Sequence, residues 1–365
     1  MPVKRGFTSA FYINRIKPTS REQGRFRGGF VILQNFQNIL VIKFKSMGDV
    51  IFTLPAVNML RENFPDARIT FLTSAENRAI VEQFPSVDEV LVIDRTLFKK
   101  PRLKTITSTF GLLRRLRQGK FSLVIDLQHY AETAWLTRWT GAPQRWAWTL
   151  KDKFRGRAYT HVRPRQDQLH PVDISLDLLT HCGLKLGTPC NRLRISERGR
   201  AEAQQFLKEN KLNPGLPIFI FQPFTSAAPK NWPFENYLVI ANHWKERGIQ
   251  IIFSGGNKER DLFAPAQAAG FPICIGAPLS TVTWLINQST IVVGGDTGLL
   301  HLAVALGKRV LMLMARAGTR TPVPYEHPEW VIWPPETNNL PNIKIETVNQ
   351  AIEKALVPGM STSHV

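Results

Sequence analysis

The sequence predicts an α/β protein built from two successive doubly wound domains, and three observations lead there. Short apolar runs rich in Val, Ile and Phe alternate with helical stretches of about ten to fifteen residues, the pattern of βαβ units on a parallel sheet. The alternation stops around 183–195 in Gly/Pro-rich sequence (Gly183-Leu-Lys-Leu-Gly-Thr-Pro-Cys-Asn191), as between domains, and then resumes. A chain of 365 residues is long for one compact domain and comfortable for two of about 150–200.

Residues 1–37 precede any periodic pattern and read as a basic N-terminal arm (Arg5, Arg15, Lys17, Arg21, Arg25, Arg27) with no secretory apolar core. An organellar transit peptide, a flexible arm and an over-extended start all fit that composition. In the first domain, 38–185, Ile39-Leu-Val-Ile-Lys-Phe44 reads as a buried strand. Ser46-Met-Gly-Asp49 then opens a helix expected to reach Phe64. Strands are expected at 68–73, 89–93 and 122–127, with helices at 76–84 and 105–118. In the second domain, 186–345, strands are expected at 218–222, 250–254, 273–275, 290–294 and 310–314, separated by helices. Residues 346–365 form a C-terminal helix and tail. Ligands are expected at the carboxyl ends of the strands, in a cleft that the two domains face.

Composition excludes several classes. Apolar residues at 43% and charged residues at 21% are ordinary globular values. Three cysteines make no disulfide framework, so a reducing compartment is the default, and neither they nor the scattered histidines have metal-ligand spacing. The best apolar run, Phe30 to Ile42, is broken by Gln34, Asn35, Gln37 and Asn38 and does not make a membrane span. The abnormal quantity is a net charge of +19. Residues 95–120 alone carry nine basic residues and no acid, among them Lys99, Lys100, Arg102, Lys104, Arg114, Arg115 and Arg117. Such a stretch points to an anionic partner, whether nucleic acid, membrane surface or phosphorylated substrate; a solvated helix face is the plainer alternative.

The second domain carries the phosphate signals. Gly294-Gly-Asp-Thr-Gly-Leu-Leu-His301 runs from a strand end into a helix, where free N–H groups and the helix dipole favour an anion. Asp296 could equally be a helix cap and His301 a core histidine. After another strand, Gln222-Pro-Phe-Thr-Ser-Ala-Ala-Pro-Lys-Asn-Trp-Pro233 offers the hydroxyls of Thr225 and Ser226 and the cation of Lys230. A third loop, Ser254-Gly-Gly-Asn-Lys-Glu259, adds a glycine pair and a carboxylate. Three such loops on one edge suggest a nucleotide-diphosphate pocket, without a Walker or GxGxxG sequence. In the first domain Asp49 is either a helix cap or a carboxylate placed to take a proton from a hydroxyl.

Ile39-Leu-Val-Ile-Lys-Phe-Lys-Ser-Met-Gly-Asp-Val-Ile-Phe-Thr-Leu-Pro-Ala56 resembles the amino-terminal signature of the bacterial lipopolysaccharide heptosyltransferases, glycosyltransferase family 9. Arg61-Glu-Asn-Phe-Pro-Asp-Ala-Arg68, Val87-Asp-Glu-Val90, Lys230-x-Trp-Pro and Asp296-Thr-Gly-Leu-Leu-His301 fit the same family, in order, from about residue 38 to 315. The resemblance implies a GT-B architecture of two Rossmann-like domains. It also implies inverting, metal-independent heptose transfer from ADP-heptose to the inner core of lipopolysaccharide, with no cofactor. By the same resemblance Asp49 is the general base and Lys230 stabilises the leaving diphosphate. Thr225 and Ser226 then line the phosphates; Asp296, Thr297, Gly298 and His301 contact sugar and diphosphate, and Glu259 the ribose. The basic first domain would meet an anionic glycolipid at the cytoplasmic face of the inner membrane. Lys45 departs from the small hydroxyl residue usual in the family, and Ala315-Arg-Ala-Gly318 from its Gly-Pro-Thr. The alternatives are a family relative using another nucleotide sugar or acceptor, a catalytically silent binding module, and a basic nucleic-acid-binding protein. The last lacks any RNP, zinc-finger or basic-heptad pattern, so nucleic acid is not the expected partner.

Overall fold

The computed structural model describes residues 35–94, 103–149, 155–187, 192–315, 322–335 and 339–356, with the side chains of 103–109 and 155 excepted. The chain divides into two compact units, the first ending at Arg194 and the second starting at Ile195. Arg194 is tied to the first unit: its backbone N–H donates to the Gln83 carbonyl (2.7 Å) and its guanidinium to that of Pro85 (2.6 Å).

The first unit holds β1 (Asn38–Ile42), β2 (Arg68–Ser74), β3 (Glu89–Ile93), β4 (Leu123–Asp126), β5 (Gln144–Thr149) and β6 (His161–Pro164). They form one parallel sheet in the order β3-β2-β1-β4-β5-β6. The second unit holds β7 (Ile218–Gln222), β8 (Gln250–Gly255), β9 (Ile273–Ile275), β10 (Ile291–Gly295), β11 (Arg309–Leu313) and β12 (Val331–Ile332). Its sheet is also parallel, in the order β12-β11-β10-β7-β8-β9. Counted from its own first strand, each sheet has the doubly wound Rossmann order, so the expected pair of Rossmann-like domains is present. The strand order reverses between β1 and β4 in one unit and between β7 and β10 in the other. At that edge the loops diverge and leave room for a ligand. Because helices cover both faces, β1, β4, β7 and β10 are buried almost throughout.

The structure departs from the sequence reading in places that have local causes. The helix expected to reach Phe64 is two helices, Met47–Ile51 and Leu54–Asn63. Thr53 divides them by turning its hydroxyl onto the Val50 carbonyl (2.7 Å), and Pro55 fits the first turn of the second. The helix expected at 76–84 is a 3-10 turn, Ala75–Asn77, and a short helix, Arg78–Val81, because the Asn77 amide is held by the Phe44 and Lys45 carbonyls. Among the described residues no helix is long and apolar enough to cross a membrane.

Candidate functional site

In the second unit the site begins with two glycines. Gly294 sits opposite Gln222 in the β7–β10 register. A Cβ on Gly294 would stand 2.3 Å from the Gln222 carbonyl oxygen, and one on Gly295 would stand 2.6 Å from Thr225 Cγ2. Only glycine lets the 222–233 loop close over the end of β10. That loop is braced internally: the Thr225 N–H donates to Asn231 Oδ1 (2.8 Å) and the Thr225 hydroxyl to the Ala227 carbonyl (2.9 Å). A 3-10 turn, Ala228–Lys230, follows, and the buried Trp232 indole donates to the Ile343 carbonyl (2.9 Å).

This bracing brings three charged or ionisable groups together. Lys230 Nζ lies 3.4 Å from Asp296 Oδ2, and His301 Nε2 lies 3.1 Å from Asp296 Oδ1. The His301 side chain is 4% exposed, Asp296 20% and Lys230 55%, so the cluster runs from core to surface with its ammonium outermost. Burial pushes the Asp296 carboxyl up, but the His301 hydrogen bond and the charges of His301 and Lys230 outweigh it and hold the group below its usual value. Asp296 is therefore an anion whose neighbours orient it. It is not the helix cap either: Thr297 occupies that position for the helix Gly298–Ala305, in extended conformation. Thr297 makes no side-chain cap bond, and its buried Oγ1 has no hydrogen-bond partner among the described residues. The first N–H groups of that helix lie beside Asp296 and are the donors such a terminus offers an anion. Ser226 is exposed on the Lys230 loop. Glu259 lies apart on the β8 side, half-buried in the 3-10 turn Asn257–Phe263, its carboxylate folded back toward Gly256. The structure thus joins Thr225, Lys230, Asp296, Thr297, Gly298 and His301, and leaves Glu259 in the turn that follows the neighbouring strand, β8.

In the first unit the loop after β1 is pinned from two sides. Gln128 Oε1 accepts from the N–H groups of Phe44 (3.2 Å) and Lys45 (3.1 Å), while Ser74 donates to the Phe44 carbonyl (2.8 Å). Asp126, fully buried at the end of β4, accepts from the N–H groups of Gln128 (2.8 Å) and His129 (2.9 Å) and from the Tyr159 hydroxyl (2.6 Å). It thereby holds His129 at φ 55, the left-handed region that non-glycine residues seldom adopt. Asp49 is the third residue of the helix Met47–Ile51, and Ser46, not Asp49, stands at the cap position. The Ser46 hydroxyl donates to Asp49 Oδ2 (2.9 Å), which orients a half-buried carboxylate at the end of β1.

Lys43, which the motif reading passed over, belongs to this edge. Its ammonium donates to the Leu127 carbonyl (3.0 Å) and lies 5.6 Å from the centroid of the Trp148 ring. Burial pushes it down to about 8, against the opposing pull of Asp49 and Asp126 and with a further push from Arg165 and Lys45. The signal was present in the sequence: a lysine inside an otherwise apolar strand run is costly unless it meets acceptors.

The basic stretch lies only partly among the described residues. Lys99, Lys100 and Arg102 lie outside the described residues, and Lys104 is described only as backbone of the helix Leu103–Gln118. Arg114, Arg115 and Arg117 are exposed. The expectation that no acid neutralises the stretch is corrected for Arg115. Glu89 of β3 takes its guanidinium, and also takes Arg68 at 3.1 Å. The neutralising acid comes from another strand, which a count along the chain does not see.

The family model described as glycosyltransferase family 9 (heptosyltransferase) matches residues 109–353. A lipopolysaccharide core heptosyltransferase of Haemophilus influenzae is 22% identical over 309 residues, covering 81% of this chain and 84% of the relative. A glycosyl transferase family 9 structure from Veillonella parvula superposes with a TM-score of 0.79 at 22% identity, covering 89% of this chain and 98% of that one. An Escherichia coli heptosyltransferase solved with ADP-2-deoxy-2-fluoro heptose superposes with a TM-score of 0.71 at 22% identity, covering 87% and 99%.

Proposed function

Because this chain belongs to glycosyltransferase family 9 (heptosyltransferase) and is a glycosyltransferase, we propose that it moves heptose from ADP-heptose to the inner core of lipopolysaccharide, inverting the anomeric centre without a metal ion. The observation that carries this reading is the Lys230–Asp296–His301 cluster beside a helix N-terminus at the second unit's strand-order reversal. The donor-site reading draws support from the Escherichia coli relative solved with a fluorinated ADP-heptose, and the acceptor reading from the lipopolysaccharide core enzyme of Haemophilus influenzae.

In this mechanism Asp49 takes the proton of the acceptor hydroxyl as the oxygen attacks the anomeric carbon, and ADP leaves from the opposite face. Negative charge grows on the departing diphosphate. Lys230 and the N–H groups opening Gly298–Ala305 stabilise it where a metal would otherwise be needed. Asp296, held ionised, fixes the ammonium of Lys230 and accepts from sugar hydroxyls, while His301 fixes Asp296. Thr225, Ser226 and Thr297 supply hydroxyls to the phosphates and sugar, and Glu259 takes the ribose. No cofactor takes part, and nucleic acid is not a partner. The enzyme works at the cytoplasmic face of the inner membrane, because its acceptor is an anionic glycolipid held in that leaflet.

The test is a thermal-shift panel of nucleotide sugars on the purified chain, followed by transfer assays with and without EDTA. ADP-heptose is expected to give the largest stabilisation, and EDTA is expected to leave transfer unchanged. Saturation by a different nucleotide sugar, or strict dependence on added Mg²⁺ or Mn²⁺, overturns the corresponding half of the proposal.

A further inference from the structure

We infer that the first unit carries a lipid-insertion surface made by Phe110, Trp135 and Trp139 with Arg114, Arg117 and Arg138, and that its partner is an anionic bilayer. The surface is built from two packed helices, Leu103–Gln118 and Ala131–Thr140. Trp139 Nε1 donates to the Leu113 carbonyl (3.1 Å), and Arg117 donates to the Trp139 carbonyl (3.4 Å), which sets the two exposed faces side by side. On the first helix Phe110, Arg114 and Arg117 follow one another at the spacing of a single face. On the second, Ala131, Trp135 and Trp139 do the same, with Arg138 beside them.

Three things set this patch apart. Phe110 is 70% exposed, more than any other large apolar side chain among the described residues, and Trp135 and Trp139 are 49% and 44% exposed. The two indoles stack at 5.6 Å between centroids with 23° between planes, so what they leave exposed is one contiguous apolar plate. Cations stand around that plate, and the only acid on the two helices is the half-buried Glu132. Indole rings favour the headgroup level of a bilayer, where one end is dry and the other wet, and arginines there meet lipid phosphates. A protein partner would leave the charge unexplained. A nucleic acid would leave the wide apolar plate unexplained. An anionic lipid surface answers both.

This inference deepens the proposed membrane-bound acceptor, but its test needs neither donor nor acceptor, so the two can fail separately. The full chain is mixed with phosphatidylcholine vesicles with and without phosphatidylglycerol, and partition is read by co-sedimentation and by quenching of tryptophan emission with brominated lipid. The wild type is expected to partition onto the phosphatidylglycerol vesicles, with emission quenched. The double variant Phe110→Ala/Trp135→Ala is expected to bind about tenfold more weakly. R114E/R138E is expected to lose both binding and its salt dependence. Unchanged melting and ADP-induced shifts in the variants show that the fold is intact. The inference is overturned if the wild type ignores phosphatidylglycerol or if both variants bind like wild type. It is also overturned if the wild type self-associates and Trp135→Ala abolishes that while vesicle binding persists, which assigns the face to a second copy.

Discussion

The two units have the same strand order, yet the edges where that order reverses are made chemically different. After β7 and β10 the second unit uses glycines: Gly294 and Gly295 remove side chains so that two loops approach closely, and one anion, Asp296, is left between a lysine and a histidine. After β1 and β4 the first unit uses side chains instead. Gln128, Asp126 and Ser74 tie down the backbone, and Lys43 and Asp49 are held at the rim. The second arrangement suits a ligand whose phosphates must come close to backbone N–H groups. The first suits a group that must exchange a proton at a fixed point. One strand order therefore carries two chemically different edges, and the difference lies in a few residues at two loop pairs.

Three substitutions break or sharpen that contrast. Asp49→Asn removes the base and keeps its shape; transfer is expected to fall by about 10²–10⁴ while ADP affinity stays within a few-fold. Single-turnover kinetics with ADP titration measure both, and equal turnover would reduce Asp49 to a residue oriented by Ser46 for structure alone. Lys230→Ala acts on the other edge and is expected to affect both properties. kcat/KM is expected to fall by about 10²–10³ and ADP affinity by less, because leaving-group charge grows toward the transition state. Unchanged ADP binding together with unchanged kcat/KM would make Lys230 a surface residue.

The smallest effect concerns Lys43 and is a matter of sign. Its folded-state value of about 8 lies below its ordinary 10.5, so between those two pH values the unfolded chain binds more protons than the folded one. This lysine's cost to stability is therefore fully present below pH 8 and fades as pH rises toward 10.5. Lys43→Met is expected to melt about 2–4 °C higher than wild type at neutral pH, for roughly 1 kcal/mol. The gap is expected to narrow on going to high pH in a calorimetric series. A gap that stays constant with pH would mean that the gain comes from packing and not from charge.

Legibility in the sequence followed the same division. Aliphatic strands such as Ile39–Phe44 and Thr290–Gly294 were readable because both faces are buried and the apolar run is continuous. Strand β5 was not, because it alternates Arg145 and Thr149 with the buried Trp146 and Trp148 and so has no aliphatic run. Strand β12 has two residues, too few to carry any period. The helix Pro171–His181 was passed over although His170 caps it, its ring nitrogen accepting from the Val172 N–H (3.2 Å). At the site, Lys230, Asp296 and His301 could be named from motifs, but their mutual contact could not, since it depends on how two loops 66 residues apart close over glycines. The Gln128 support was invisible for a related reason: its bonds from the Phe44 and Lys45 N–H groups span more than eighty residues, as the Tyr159 bond to Asp126 spans thirty-three, and no local pattern encodes them.

The Trp232–Ile343 hydrogen bond has a consequence for how the molecule comes into being. The lysine-bearing loop leans on a carbonyl more than a hundred residues downstream, and Trp232 shares one core cluster with Leu340 and Ile343 and with Val348 and Ile352 of the helix Ile345–Leu356. During synthesis the first unit can complete its sheet as soon as β6 has emerged. The second lacks the carbonyl that anchors the Lys230 loop until Ile343 has left the ribosome. A nascent chain therefore completes the edge that holds Asp49 early and the edge that sets Lys230 against Asp296 last.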